Sequence, residues 1–126
     1  MKSRETALRL KRFEADEKAR KVADLEHMIR EFETMAADLD RQIQAEEDRT
    51  GIKDPSHFAY STFAKSAVGR RDNLRTSVAE LRLKLAAAQR ERDEVVEQLQ
   101  RADITESRES AQGRRRGERS PTAVMR

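Results

Sequence analysis

Hydrophobic residues recur every seven positions along the first fifty residues of the chain. One set runs from Leu8 to Ile43, and a second set lies three residues after each member of the first. These are the a and d positions of a heptad repeat, which share one face of a helix. The pattern predicts a long helix over residues 3–49, with a seam that is apolar from Val22 to Ile43 and thins toward the N-terminus.

The same period returns in the second half of the chain. Its a positions run from Ala64 to Leu99, and its d positions run from Tyr60 to Ala102. This pattern predicts a second helix over residues 55–102. Two matched seams on consecutive helices predict an all-α fold, an antiparallel coiled-coil hairpin that occupies residues 1–102.

Gly and Pro together interrupt the pattern at residues 51–55. Gly51 is suited to the left-handed conformation just past a helix end. Asp54 is suited to cap a new helix whose first residue is Pro55. We therefore expect a tight turn at residues 50–54.

The turn also bears on the helix register, because facing residue numbers in an antiparallel pair add to a constant. A sum of 103 centres the turn near residues 52–53 and is preferred, while a sum of 110 moves the turn toward Pro55 and stays open. The first register sets Lys11 opposite Arg92. Such cations must extend to solvent, so we expect a weaker seam at the end that carries both termini and extra order when a partner binds.

Composition supports the helical interpretation. Charged residues make up 40% of the chain and hydrophobic residues 36%, without Cys, which is typical of long helices and excludes disulfides and cysteine-based sites. No apolar run approaches the roughly 18 residues that span a membrane, and no secretory leader is recognisable. We expect a soluble or at most peripheral protein.

The net charge of +3 lies in residues 104–126, because the rest of the chain is balanced. This segment lacks a sustained hydrophobic period, which predicts a disordered basic tail over residues 103–126. The arginines at 114–116 are interpreted as part of a solubilising tail rather than a nucleic-acid or lipid site.

Catalytic motifs are lacking. The two histidines, His27 and His57, are far apart, and there is no nucleophile elbow, phosphate-binding glycine loop or metal-ligand spacing. We expect a protein that is not an enzyme and that uses no cofactor or metal.

Apolar residues off the seam are the candidate binding residues. Phe58 and Phe63 flank the seam residue Tyr60 just after the turn. Exposed aromatic residues are typical interface anchors, so Phe63 is predicted to lie on a partner-binding face. Phe58 either does the same or caps the hairpin together with Ile52.

Leu10 and Phe13 form a second group near the N-terminus, flanked by Arg9, Lys11 and Arg12. They are three residues apart and share one helix face. Either they form a free binding patch, or the seam shifts register here and makes them core residues.

These two groups carry a resemblance to a known family. The run LRLKRF at residues 8–13, followed by Glu17, and the run FAYSTF at residues 58–63 are similar to the two helix starts of the FliJ family, in particular its short alphaproteobacterial-type members. FliJ proteins are coiled-coil components of the bacterial flagellar type III export apparatus. The resemblance covers about residues 5–102 and leaves the tail outside.

The resemblance implies a two-helix antiparallel coiled coil that acts as a stalk. Such a protein inserts its terminal end into a hexameric export-ATPase ring, promotes assembly and activity of the ring, and contacts the membrane export gate and export chaperones. It implies a cytoplasmic protein associated peripherally with the inner membrane at the flagellar base. The implied export-gate residues are Phe63, Tyr60, Ala67 and Phe58, and the implied ATPase-ring residues are Leu8, Arg9, Leu10, Arg12 and Phe13. At Ala67 the family often has a larger apolar residue.

An alternative from another class is a generic coiled-coil scaffold or dimerising adaptor. A leucine-zipper DNA-binding protein is disfavoured, because both predicted helices are neutral overall and such proteins need a basic helix continuous with the zipper.

Overall fold

Two long α-helices make up the fold. The computed structural model describes residues 2–124, with side chains for residues 3–113. Helix α1 spans Lys2–Thr50 and helix α2 spans Thr62–Val124, with no strand among residues 2–124. The two helices pack against each other, which confirms the predicted all-α class.

The chain divides into two compact units. The terminal unit comprises Met1–Arg20 with Gln89–Arg126, and the turn unit comprises Lys21–Ala88. In the terminal unit Arg12 pairs with Asp103, and in the turn unit Glu33 pairs with Arg82. The terminal unit also pairs Lys18 with Glu91, and the turn unit also pairs Asp40 with Arg75. In each unit the partner number on α2 falls as the number on α1 rises, so the helices are antiparallel in both.

The core of the turn unit follows the predicted heptad positions. In one cluster Ile29, Val78 and Leu81 are buried, and in the other Leu39, Ile43 and Ala67 are buried. Partly buried residues complete them: Leu25, Phe32 and Leu85 around the first, Val68 and Leu74 around the second. Apart from Val68, all of these are predicted seam residues, which confirms the predicted seam.

The terminal unit has a thinner core. Leu8, Ala15 and Val95 are buried there, whereas the seam cations Lys18 and Arg92 keep about a third of their side chains exposed. Lys18 donates to Glu91 at 3.1 Å. The seam cations remain partly exposed, as expected, because such side chains keep both water and a carboxylate partner. The predicted facing of Lys11 with Arg92 is wrong, since Lys18 lies level with Arg92 in the register that the core clusters show.

The register differs from the preferred prediction. Ile29 packs in one cluster with Leu81, and Ile43 packs in the other with Ala67. Both pairs of numbers add to 110, so the preferred sum of 103 is wrong and the open alternative holds. A sum of 103 pairs Ala36 with Ala67, whereas 110 sets the large Ile43 against the small Ala67 and fills the layer better.

The register follows from a connection longer than the predicted turn. Gly51 ends α1 as expected, with φ of 74° and its N–H bonded to the Glu47 carbonyl at 2.8 Å. Asp54 does not cap α2; its carboxylate instead accepts from the Ser56 amide at 3.0 Å and from the Ser56 hydroxyl. This local Asx turn competes with helix formation. Ser61 caps α2 by accepting the Ala64 amide at 3.2 Å.

Helix α2 also continues beyond residue 102, where the sequence predicts a disordered tail from residue 103. Carboxylates of this segment reach α1 within the terminal unit: Asp103 accepts from Arg12 at 3.1 Å, and Glu109 pairs with Arg4. Exposed ion pairs of this kind each contribute little, but several along one helix favour the helical state. The predicted arginine cluster at residues 114–116 lies outside the residues whose side chains are described.

The core assignment yields a stability prediction. Replacement of Ile29, which is 7% exposed, by Ala should lower the free energy of unfolding by about 2–4 kcal/mol, because it removes buried methyl groups and leaves a cavity. Met28→Ala is the matched control, since Met28 is 41% exposed and its truncation should cost much less. Thermal melts followed by circular dichroism at 222 nm measure both, and equal losses would contradict the seam.

Candidate functional site

Two exposed apolar surfaces are candidate protein-binding sites, one in each unit. In the turn unit, Phe58 is 96% exposed and Phe63 is 56% exposed. In the terminal unit, Leu10 is 64% exposed and Phe13 is 62% exposed. Isolated apolar residues on a surface are ordinary, whereas contiguous exposed apolar patches mark interaction sites.

The first turn of α2 holds Phe63 in place. Ser61, two residues earlier, donates its hydroxyl to a Glu46 carboxylate oxygen at 2.9 Å. The Glu46 carboxylate also accepts from Arg49, and these hydrogen bonds, with that from Arg49 the larger, lower the pKa of Glu46 below its ordinary value. The charged carboxylate therefore ties the start of α2 to α1, so that Phe63 projects from a fixed backbone.

Tyr60 and Ala67 lie beneath this surface rather than on it. Tyr60 is 8% exposed, and its hydroxyl donates to the Glu47 carboxylate at 2.8 Å. Burial raises the pKa of Tyr60, and the bond to Glu47 raises it further. Ala67 packs with Leu39 and Ile43. Of the four residues implied for gate binding, these two stabilise the site, and Phe58 and Phe63 are accessible.

Phe58 does not cap the helix pair. It lies in the connecting loop and stacks on the ring of His57, with 4.7 Å between ring centroids and 23° between planes. The His57 ring nitrogen Nδ1 accepts the Ala59 amide at 3.0 Å. The alternative in which Phe58 plugs the turn with Ile52 is therefore wrong, and its side chain faces solvent.

At the terminal unit the seam keeps its register. Leu8 is buried whereas Leu10 and Phe13 are exposed, so the alternative in which a register shift buries them is wrong. Arg9 is exposed, and Arg12 is engaged with Asp103 at 3.1 Å. Of the residues implied for ATPase binding, Leu8 belongs to the core and the other four form a surface with two cations.

Sequence reasoning missed a third feature, the g positions of the turn unit. Met28 and Met35 occupy successive g positions of α1 and are 41% and 50% exposed. Met35 borders an open groove of about 420 Å³ between the helices. The methionines at g positions could have indicated this surface from the sequence. Apolar g residues widen the hydrophobic stripe of a helix beyond the part that a single partner helix covers.

The exposed apolar surfaces suit contacts with other proteins. Within the described side chains, no group of three or more His, Asp or Glu could hold a metal ion. None of the described helical segments is long and apolar enough to cross a bilayer. Exposed aromatic and aliphatic residues on helices are the groups that bind partner surfaces.

Comparison of the chain with protein-family models, with curated proteins and with solved structures finds no significant match.

The buried tyrosine yields a pH prediction. Tyr60 is the one tyrosine of the chain, so ultraviolet absorbance near 295 nm follows its ionisation alone. Because its folded pKa is raised above the ordinary value near 10, the folded state keeps the proton to higher pH than the unfolded chain. The contribution of the raised Tyr60 pKa to the free energy of unfolding is full below about pH 10. It is lost as the pH rises through the folded pKa.

Tyr60→Phe should therefore remove this decline above pH 10 and lower the stability at pH 7 by about 1 kcal/mol, through loss of the bond to Glu47. An absorbance midpoint at or below 10 in the folded protein would show that the hydroxyl is not held as described.

Proposed function

We propose that this chain is a non-enzymatic stalk component of a bacterial flagellar type III protein export apparatus. In this role it promotes assembly and activity of the export-ATPase ring and links the ring to the membrane export gate and to export chaperones. The proposal rests on the resemblance to the FliJ family. The observation that carries it is the exposure of Phe63 on a fixed helix start, at the position where the family has its gate-contacting aromatic residue.

The turn unit fits a gate contact through its aromatic residues. Packing of the seam uses Tyr60 and Ala67, which leaves Phe58 and Phe63 exposed. Interface energy concentrates in a few aromatic anchors that enter pockets on the partner. Ala67 lies in the seam with Leu39 and Ile43, so Phe63 is the principal helix-borne anchor proposed for this contact.

The terminal unit fits the ATPase ring. Leu10 and Phe13 provide apolar area, and Arg9 and Arg12 lie beside them on α1. Apolar anchors beside cations suit a partner whose surface is apolar and acidic, because opposite charges steer association. Partly exposed cations on the seam, such as Lys18, weaken the pairing of helices here, so a surrounding ring stabilises this unit.

The role needs no cofactor and implies a cytoplasmic protein bound peripherally at the inner membrane of the flagellar base.

A dimerising adaptor or scaffold is the second candidate, because Met28 and Met35 are exposed apolar residues outside the helix seam. Co-purification from cells distinguishes the two. Recovery of a hexameric export ATPase with the chain supports the stalk, whereas a chain that associates with itself and recovers no ATPase supports the scaffold.

Replacement of Phe63 by Ala tests the gate contact. We expect binding to the cytoplasmic domain of the export gate to weaken at least tenfold, because loss of an aromatic anchor typically costs about 2 kcal/mol or more. Leu83→Ala is the matched control, since Leu83 is an exposed apolar residue of the same unit. Unchanged binding by the Phe63 variant, with its helices intact, would refute the assignment.

A double replacement, Leu10→Glu with Phe13→Glu, tests the ring contact. It puts anions on an apolar surface and should abolish stimulation of the purified export ATPase, because burial of unpaired charge is unfavourable. Ile104→Glu makes the same change at an exposed position of α2 in the terminal unit and should retain stimulation. Stimulation of the double variant at the wild-type level would contradict the contact.

A further inference from the structure

The two sides of the turn unit differ in chemistry. On one side, at the e positions, ion pairs join the helices: Glu33 with Arg82 and Asp40 with Arg75, each at 2.8 Å. On the other side, at the g positions, lie the exposed Met28, Met35 and Phe63. We call the second side the g face. Three exposed large hydrophobic residues of the turn unit thus share the g face.

The g face is a groove with an apolar floor. Leu39 and Leu74 lie between its rims, with Met35 beside them. Asp38 stands on the α1 rim and Arg70 on the α2 rim. A groove of this form accommodates helices, because their side chains fill the space between two rims.

The two rims carry opposite charges at two matching places, although Glu80 on the α2 side of the groove is also exposed. On the α1 rim, exposed carboxylates recur every seven residues at Asp24, Glu31 and Asp38. On the α2 rim, the exposed cations Arg70 and Lys84 stand fourteen residues apart. Existing contacts of the acidic row lie within α1, where Glu31 pairs with His27 and Asp38 with Arg41. Each carboxylate has two oxygens and can accept a further donor.

The register sets these charges at matching heights. With seam numbers that add to 110, Asp38 is level with residue 72, two positions from Arg70, and Asp24 is level with residue 86, two positions from Lys84. Two residues of a helix span about 3 Å along its axis. Arg and Lys side chains are long enough to reach a carboxylate displaced by this distance. The spacing of the cations on one rim therefore matches the spacing of the carboxylates on the other.

We propose that a second copy of this chain binds on the g face, groove to groove, about a two-fold axis parallel to the helices. This operation lays α1 of each copy along α2 of the other. Asp38 then meets Arg70 of the second copy, and Asp24 meets Lys84 of the second copy, each contact occurring twice because the interface is isologous. The product is a four-helix bundle that buries Met28, Met35 and Phe63.

The charges select this geometry over the other two-fold arrangement. An axis perpendicular to the helices lays α1 against α1, which opposes two acidic rows. Like charges set against each other at an interface are strongly unfavourable. Each rim of one copy complements the other rim of a second copy. The charges therefore favour a second copy about the parallel axis over a partner whose surface carries charges of only one sign.

Phe63 has two proposed roles, and the second of them rests on the proposed function. Phe63 is buried in this dimer and is also the proposed gate anchor, so self-association and gate binding exclude each other.

A charge exchange between chains tests the dimer on purified full-length protein, without any export component. D38R sets like charges against Arg70 of the second copy, and R70D sets them against Asp38. We expect each variant alone to show a dimer association constant at least tenfold below wild type in sedimentation equilibrium. In an equimolar mixture, a dimer of one D38R chain and one R70D chain again has opposite charges at both of these contacts. The association constant of this mixed dimer should therefore return to the wild-type level. Contacts within one chain cannot produce this recovery.

A matched pair of apolar replacements locates the surface. Met35→Lys should abolish dimerisation, whereas Leu83→Lys, at an f position away from the groove, should leave it unchanged. Circular dichroism verifies that each variant retains its helices. The proposal is overturned if the wild-type chain stays monomeric at the highest attainable concentration, if the mixture associates no better than its components, or if Leu83→Lys is as damaging as Met35→Lys.

Discussion

Burial of one seam between two helices is the constraint on which this structure depends. The buried hydrophobic residues of the described part of the chain all lie at a and d positions, from Leu8 to Val95. A helix pair has no second layer, so each seam position affects stability directly. Where the seam is apolar, as at Ile29 and Leu81, it holds the turn unit together. Where it carries Lys18 and Arg92, the core is thinner, and the partly exposed ion pair of Lys18 with Glu91 joins the helices.

The connecting loop and the seam determine the register together. The Asx turn at Asp54 and the cap at Ser61 delay the start of α2 to Thr62. That delay moves the facing positions by one heptad relative to a tight turn. The resulting layers set large residues against small ones, as in the contact of Ile43 with Ala67. Local turn chemistry and core packing therefore favour the same alignment.

The register in turn decides which surfaces remain for partners. It brings Asp38 and Arg70 to opposite rims of one groove and leaves Met35 between them without a seam partner. It also buries Tyr60 and Ala67, so that Phe63 is the accessible member of its helix face. The proposed gate contact and the proposed self-association both use that residue, which makes competition between them a property of the helix pair.

Heptad spacing by itself determined the helices, the seam and the thin terminal core, because the 3.6-residue period fixes which side chains share a face. Gly51 at the end of α1 and the exposure of Phe63 were also predictable from local chemistry. The start of α2 was not, since Asp54 suits both a helix cap and an Asx turn, and tertiary packing selects between them. The register, the solvent-facing ring of Phe58 and the placement of Asp38 and Arg70 on opposite rims of the g face were decided only by the tertiary structure. The heptad pattern repeats every seven residues, so two helix registers that differ by one heptad satisfy it equally. Loop length and side-chain volume distinguish these registers.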